Sequence, residues 1–189
     1  MKLLILGAGG YGKTVADLAA QLGCYSKIAF LDDGQTGGNI LGTCGEFAAF
    51  ADGNTHMYPA FGNNETRMHW LNTLLSAGIT VPTLVHPRSY VSPAATVGTG
   101  SVVLPMAVVN TGVTVKSGCI INIGALIDHD SIIEAGCHLA PGAIVKAENR
   151  IPALSKIESG DRKRPARQSD DCLAARDHGD HGRRGSGAE

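Results

Sequence analysis

Asp128-His129-Asp130 sets one imidazole between two carboxylates. Histidine titrates near neutral pH, and an acidic neighbour steers both its pKa and its tautomer. A group of that kind can take a proton from an attacking hydroxyl or amine as a general base. The same triplet read more plainly is a solvated turn with no chemistry. Asn122 lies seven residues before His129, and His138 nine residues after it.

A second candidate is the glycine loop. Gly7-Ala8-Gly9-Gly10-Tyr11-Gly12 fits G-x-G-x-x-G, and the stretch extended through Lys13-Thr14 also fits G-x-x-x-x-G-K-[ST]. Either pattern alone is weak. The context favours a Rossmann-like turn. An apolar strand ends at Gly7, and a second strand ends at Asp32, twenty residues after Gly12. A nucleotide-hydrolysing P-loop domain needs a larger sheet than residues 1–85 provide, and a dehydrogenase needs room for a nicotinamide pocket. A loop of this type offers backbone N–H groups and a helix N-terminus to a phosphate. The plainer alternative is a tight turn that packs helix on strand.

The third candidate is Gly62-Asn63-Asn64-Glu65-Thr66-Arg67. It follows a predicted strand and opens a helix, on the carboxyl edge where open α/β sheets bind ligands. Asn63 is an N-cap candidate. Arg67, one turn on, has the charge and length to reach an anion.

These groups must be held by two kinds of scaffold. From Val91 an aliphatic residue recurs every sixth position: Val91, Val97, Val103, Val109, Val115, Ile121, Ile127, Ile133, Leu139, Val145, Ile151 and Ile157. Over the eleven hexads from Val91 to Lys156 the fifth position is small or short, and glycine takes the fourth in six of them. A period of six is neither helical nor alternating. It fits a hexapeptide β-helix with three short strands per coil, the aliphatic and small positions facing inward. Eighteen residues make a coil, so Cys119 and Cys137 stack in the interior as small apolar residues. His129 falls at an outward third position, Asp130 replaces a corner glycine, and His138 falls half a coil later, at a corner.

Residues 1–85 alternate instead. Lys2–Leu6, Ile28–Leu31 and His56–Phe61 read as strands, with a last edge strand over Ile79–Val85, interrupted by Pro82. Gly10–Leu22 and Asn64–Ala77 read as helices, the second with Met68, Leu71, Leu74 and Leu75 inward. Leu41–Asn54 is ambiguous. The expectation is α/β plus all-β: a small Rossmann-like parallel-sheet domain over 1–85, a β-helix over 86–160, and a disordered or aberrant tail over 161–189. Fourteen of the last 32 residues are charged, against nineteen in the first 157, too polar a tail to offset its ordering entropy. His178 and His181 read as solvated tail residues and not as a metal site.

Composition narrows the partners. Sixteen basic and seventeen acidic residues leave a net charge of −1. This gives no footprint for nucleic acid or an anionic membrane. No apolar run reaches membrane-spanning length. Five cysteines without C-x-x-C spacing read as free thiols in a cytoplasmic protein. The low charge of the first 157 residues and the apolar outward positions Ile123, Ala135, Ala147 and Ala153 point to packing against copies of itself.

In order and spacing, GAGGYGK, FLDD (Phe30–Asp33), FGNNETR (Phe61–Arg67), LVHPRSYVSPAATVG (Leu84–Gly98) and INIGALIDHDSIIEAGCHLAPGAIVKA (Ile121–Ala147) resemble the NeuD/PglD family of sugar O- and N-acetyltransferases. The resemblance covers about residues 1–157. It implies a nucleotide-sugar-binding domain followed by a trimeric left-handed β-helix, and transfer of acetyl from acetyl-CoA as co-substrate. By that resemblance His129 is the catalytic base and Asp130 its carboxylate partner. Asn122, His138 and Gly142 fall at the acyl-donor site, while Gly10, Tyr11, Gly12, Asp32, Asp33, Asn63 and Arg67 fall where the family holds the nucleotide-sugar. Tyr11 stands where some members have His, so the sugar is left open. Family members normally continue the β-helix further, where this chain turns into its charged tail. Two alternatives stand beside the acetyltransferase: another acyl-CoA donor on the same scaffold, or a sugar-nucleotide-binding scaffold impaired by that tail.

Overall fold

A computed structural model describes residues 1–163. Strand β1 (Lys2–Leu6) runs directly into the glycine loop and helix α1 (Gly10–Leu22); β2 (Lys27–Leu31), a 3-10 helix (Cys44–Phe50), β3 (Thr55–Pro59) and α2 (Asn64–Ser76) follow. The three strands form a parallel sheet in the order β2-β1-β3. The 3-10 helix fills the stretch the sequence left ambiguous. Thr43 and Glu46 form its capping box, satisfying N–H groups at its start.

Fourteen two-residue strands then build a left-handed parallel β-helix with three faces. The first face stacks Leu84–Val85, Val102–Val103, Ile120–Ile121, His138–Leu139 and Lys156–Ile157. The second stacks Tyr90–Val91, Val108–Val109, Leu126–Ile127, Ile144–Val145 and Arg162–Lys163. The third stacks Thr96–Val97, Thr114–Val115, Ile132–Ile133 and Arg150–Ile151. Every pair is offset by eighteen residues. The aliphatic position is the second residue of each strand, and from Val103 to Ile157 all ten are buried. Removing one such side chain from water stabilises by about 1.5–3 kcal/mol, so the column is what fixes the coil. Cys119 and Cys137 lie in that interior.

Four expectations are corrected. Ile79–Val85 is not a strand of the first sheet: only Leu84–Val85 is extended and paired, and it pairs with Val102–Val103 as the first rung of the β-helix. The proline-interrupted approach to it keeps one bond to the first sheet, Met57 N–H to Thr80 O at 3.1 Å. Leu75 is 43% exposed, because the buried stripe of α2 runs through Arg67, Leu71 and Leu74 instead. His138 begins a strand and does not sit at a corner. The coil also continues past residue 160: Arg162–Lys163 pairs with Ile144–Val145, although Lys163 stands in the aliphatic frame and is exposed. Backbone pairing there needs no apolar side chain. The rest of the charged tail, with Cys172, His178 and His181, lies outside the described residues.

The first domain rests on the first face. Leu84, Val102 and Ile120 join one apolar cluster with Leu3, Leu71 and Leu74. Helix α2 also lies against the corner formed by Gly100, Gly118 and Gly136. A Cβ on Gly118 or Gly136 would overlap Met68, so these glycines are what allow the close approach.

Candidate active site

The corner between the second and third faces carries the histidine. Three rungs stack there, eighteen residues apart: Asn110-Thr111-Gly112, Asp128-His129-Asp130 and Lys146-Ala147-Glu148. Asp130 holds the corner position with φ 56°, the left-handed backbone that glycine takes elsewhere in the repeat. Asp tolerates that region better than most residues. The turn brings the two neighbouring side chains together, with His129 Nδ1 2.9 Å from Asp130 Oδ2. Their side chains are 45% and 61% exposed, so the site opens to solvent.

A second carboxylate fixes the backbone. Asp128 Oδ1 accepts the His129 N–H at 2.8 Å and the Asn110 amide at 3.1 Å. These bonds hold the Asp128 carboxyl below its ordinary range. His129 is pushed the other way, above the usual histidine value. The bond to Asp130 is the chief cause, and the nearby carboxylates Asp128, Asp130 and Glu148 add to it against partial burial. With Nδ1–H donated to Asp130, Nε2 is left to take a proton.

His138 is of a different kind. Asn122 Oδ1 accepts the Ile123 N–H at 2.8 Å, so the Asn122 amide N–H is directed to His138 Nε2 at 3.2 Å. The ring proton then sits on Nδ1, which is buried with no acceptor among the described residues. Burial, and after it the Arg67 and Lys156 cations, push its pKa down to about 4. His138 is therefore a neutral donor whose lone pair is already engaged. It lines an open cleft of about 640 Å³ between Gly62–Glu65 and the first face, with Lys156 on the same wall. Gly142 stands at the adjoining corner with nothing among the described residues within 4 Å of its Cβ direction.

The first-domain residues divide. The carboxyl ends of β1, β2 and β3 bring the three polar loops to one edge. Helix α1 begins without a side-chain cap and without an acidic residue in its first turn, so N–H groups there are free for an anion. Gly10 has open space around its Cβ direction. Gly12 does not: a Cβ would overlap Gly7 O, which makes it a packing glycine. Tyr11 turns its hydroxyl to Tyr58 at 3.0 Å, and burial raises it well above its ordinary pKa.

Asp32 and Asp33 are spent on the loops. Asp32 accepts from Ala8 N–H at 2.7 Å, from Gly34 at 2.9 Å and from Gln35 at 2.8 Å, which hold its carboxyl low. Asp33 accepts the Cys44 N–H at 2.8 Å. Asn63 caps α2 through Thr66 N–H at 2.9 Å.

Arg67 corrects the expectation most clearly. It is 0% exposed. Its Nε donates to Gly118 O at 2.8 Å, and its terminal nitrogens to Phe61 O at 3.0 Å, Gly136 O at 2.8 Å and Asn64 Oδ1 at 2.8 Å. Every arm is engaged in tying the β3–α2 loop to the β-helix, and none is presented to a ligand. Sequence reasoning also passed over Asn110, Gly112, Glu148 and Lys156. An offset of eighteen from Asp128, Asp130 and His138 was the signal that marks them.

Comparisons with known proteins agree with this architecture. The PglD N-terminal domain family matches residues 2–74. The acetyltransferase domain of PglB from Neisseria gonorrhoeae, solved in complex with acetyl coenzyme A, is 39% identical. The match covers 87% of this chain and 82% of that one, with a TM-score of 0.85. Two further structures share the fold. One is a mutant of perosamine N-acetyltransferase from Caulobacter crescentus in complex with CoA and GDP-perosamine (23% identity, 87% and 89% covered, TM-score 0.79). The other is WeeI from Acinetobacter baumannii (22% identity, 84% and 81% covered, TM-score 0.69). No curated protein sequence matches the chain. No helix among the described residues is long and apolar enough to cross a membrane. With 39% identity over most of both chains, and with both halves of the architecture in place, this protein is an acyltransferase belonging to the PglD/NeuD-type family of sugar acetyltransferases.

Proposed function

We propose that the protein transfers an acetyl group from acetyl-CoA to an amine or hydroxyl of a nucleotide-linked sugar, with His129 as general base. The observation that carries the reading is the His129–Asp130 pair: Nδ1 is engaged at 2.9 Å and Nε2 is left open in a solvent-accessible corner. His138 cannot compete for the role, since Asn122 holds its Nε2.

The chemistry is direct. The sugar nucleophile attacks the thioester carbonyl as Nε2 takes its proton, giving a tetrahedral intermediate. The C–S bond then breaks, and the imidazolium returns the proton to the CoA thiolate. Asp130 stabilises the imidazolium while it exists. Cys119 and Cys137 face the interior and offer no acyl-enzyme route. Asn122, His138 and Gly142 line the acyl-donor side. The uncapped start of α1 takes the nucleotide phosphate through the N–H groups at Gly10 and Tyr11.

A homotrimer completes the proposal. The second face exposes Tyr90 and Leu126, and Met106 and Ile123 flank it, an apolar strip left uncovered by the described residues. Cyclic packing of that face sets His129, at its edge, beside a neighbouring subunit. A cytoplasmic setting, where acetyl-CoA is made, fits this reading. The test is release of CoA thiol from acetyl-CoA on addition of nucleotide-linked amino sugars. Release dependent on both substrates is expected; release of CoA with no sugar requirement would overturn the proposal.

A further inference from the structure

We infer that Gly112 is a positioning residue for the transfer, because the space left by its missing side chain is where the Asp130 carboxylate sits when it engages His129. The inference rests on the general-base reading of His129. Gly112 lies one rung below Asp130, eighteen residues earlier, and the rungs are joined by Asp130 N–H to Thr111 O at 3.0 Å. Both residues are left-handed, φ 68° and 56°. A Cβ on Gly112 would overlap Asp130 Oδ1 and lie 3.3 Å from its Cγ.

The cheapest relief is on the side chain. Asp130's backbone is held by the rung bond, whereas its carboxylate is one carbon long and 61% exposed. Rotating that carboxylate clears the overlap and takes Oδ2 off His129 Nδ1. The ring then loses its orientation and its main source of raised basicity. The charges that still face it are Asp128 on its own rung and Glu148 on the next, with Lys146 beside Asp128. Left-handed strain alone is separable from this effect. Gly160 has φ 73° at the equivalent position of another hexad, and nothing among the described residues lies within 4 Å of its Cβ direction.

The experiment compares Gly112→Ala, Asp130→Asn, the double variant and Gly160→Ala in the full chain, reading the His129 titration by NMR and kcat against pH. Gly112→Ala is expected to lower the His129 pKa, as Asp130→Asn does, and to cut kcat between about 10- and 100-fold. It should add nothing in the Asp130→Asn background, and Gly160→Ala should leave the titration in place. Should Gly112→Ala fold poorly, Gly112→Asn carries the same Cβ on a residue that tolerates positive φ. An unchanged His129 titration, or an effect that adds to that of Asp130→Asn, overturns the inference. If His129→Ala keeps full activity, the general-base reading fails instead, and the NMR titration still reports whether Gly112 seats the carboxylate.

Discussion

His129 Nδ1 lies 2.9 Å from Oδ2 of Asp130, its immediate neighbour in the chain. Adjacent residues on a strand point to opposite faces; here a left-handed corner at Asp130 turns both to one side. The β-helix makes such corners every sixth residue and usually fills them with glycine. Asp at one of them sets a carboxylate against the neighbouring imidazole.

The pair has a signed pH dependence. The proposed base His129 can accept a proton only when neutral, so activity is expected to rise with pH through its pKa, which Asp130 holds above the usual value. Asp130→Asn should move the rising limb of kcat/KM to lower pH and also lower the plateau, because the ring loses its orienting partner. A limb that stays in place would show that some other group controls it. The pairing's contribution to folding runs the other way: it is full below the unfolded histidine pKa and is lost as pH rises through the folded one.

Gly10 and Gly12 should separate. Gly12→Ala drives a Cβ into Gly7 O and is expected to lower stability by about 1–3 kcal/mol in denaturant unfolding. Gly10→Val should unfold like the parent and raise the sugar-nucleotide KM while leaving that for acetyl-CoA. Equal KM effects from Gly10→Val would make the loop purely structural.

Arg67→Met removes the donors that bind Gly118 O, Gly136 O and Phe61 O. Stability should fall by about 2–5 kcal/mol, since buried carbonyls lose their partners. A variant that kept its stability and lost only sugar affinity would restore Arg67 to the ligand site.

Much of this was legible in the chain because the β-helix repeat is covalently regular. Twelve aliphatic residues in one frame dictate the coil, and the coil dictates that His129 faces out. Helix α1 was readable to its ends for a similar reason, since Gly9 opens it and Gly23, left-handed at φ 67°, closes it. The first-domain ligand set was less legible. Asp32, Asn63 and Arg67 have the chemistry of ligand contacts, but a three-stranded sheet with long polar loops consumes that chemistry in holding itself together. Arg67 could not be recognised as an interdomain tie from its own segment, because its acceptors lie 51 and 69 residues away. The short strand at Leu84 was assigned to the wrong sheet for the same reason: strand pairing is decided by distant partners.

The assembly prediction concerns Leu126. Leu126→Arg places a cation in the middle of the uncovered apolar strip. Light scattering should give a trimer for the parent chain and a smaller species for the variant. A parent chain that is monomeric at micromolar concentration would refute the shared-site arrangement.

The measurement that bears most directly on the account is the rate of acetyl transfer by His129→Ala under saturating acetyl-CoA and sugar-nucleotide. The side chain is half exposed and outside the packed interior, so the variant should fold and assemble as the parent does. Loss of the base predicts a kcat lower by about 10²–10⁴-fold, with thermal stability and acetyl-CoA binding retained. Transfer at a near-parental rate in a folded His129→Ala protein would contradict the account.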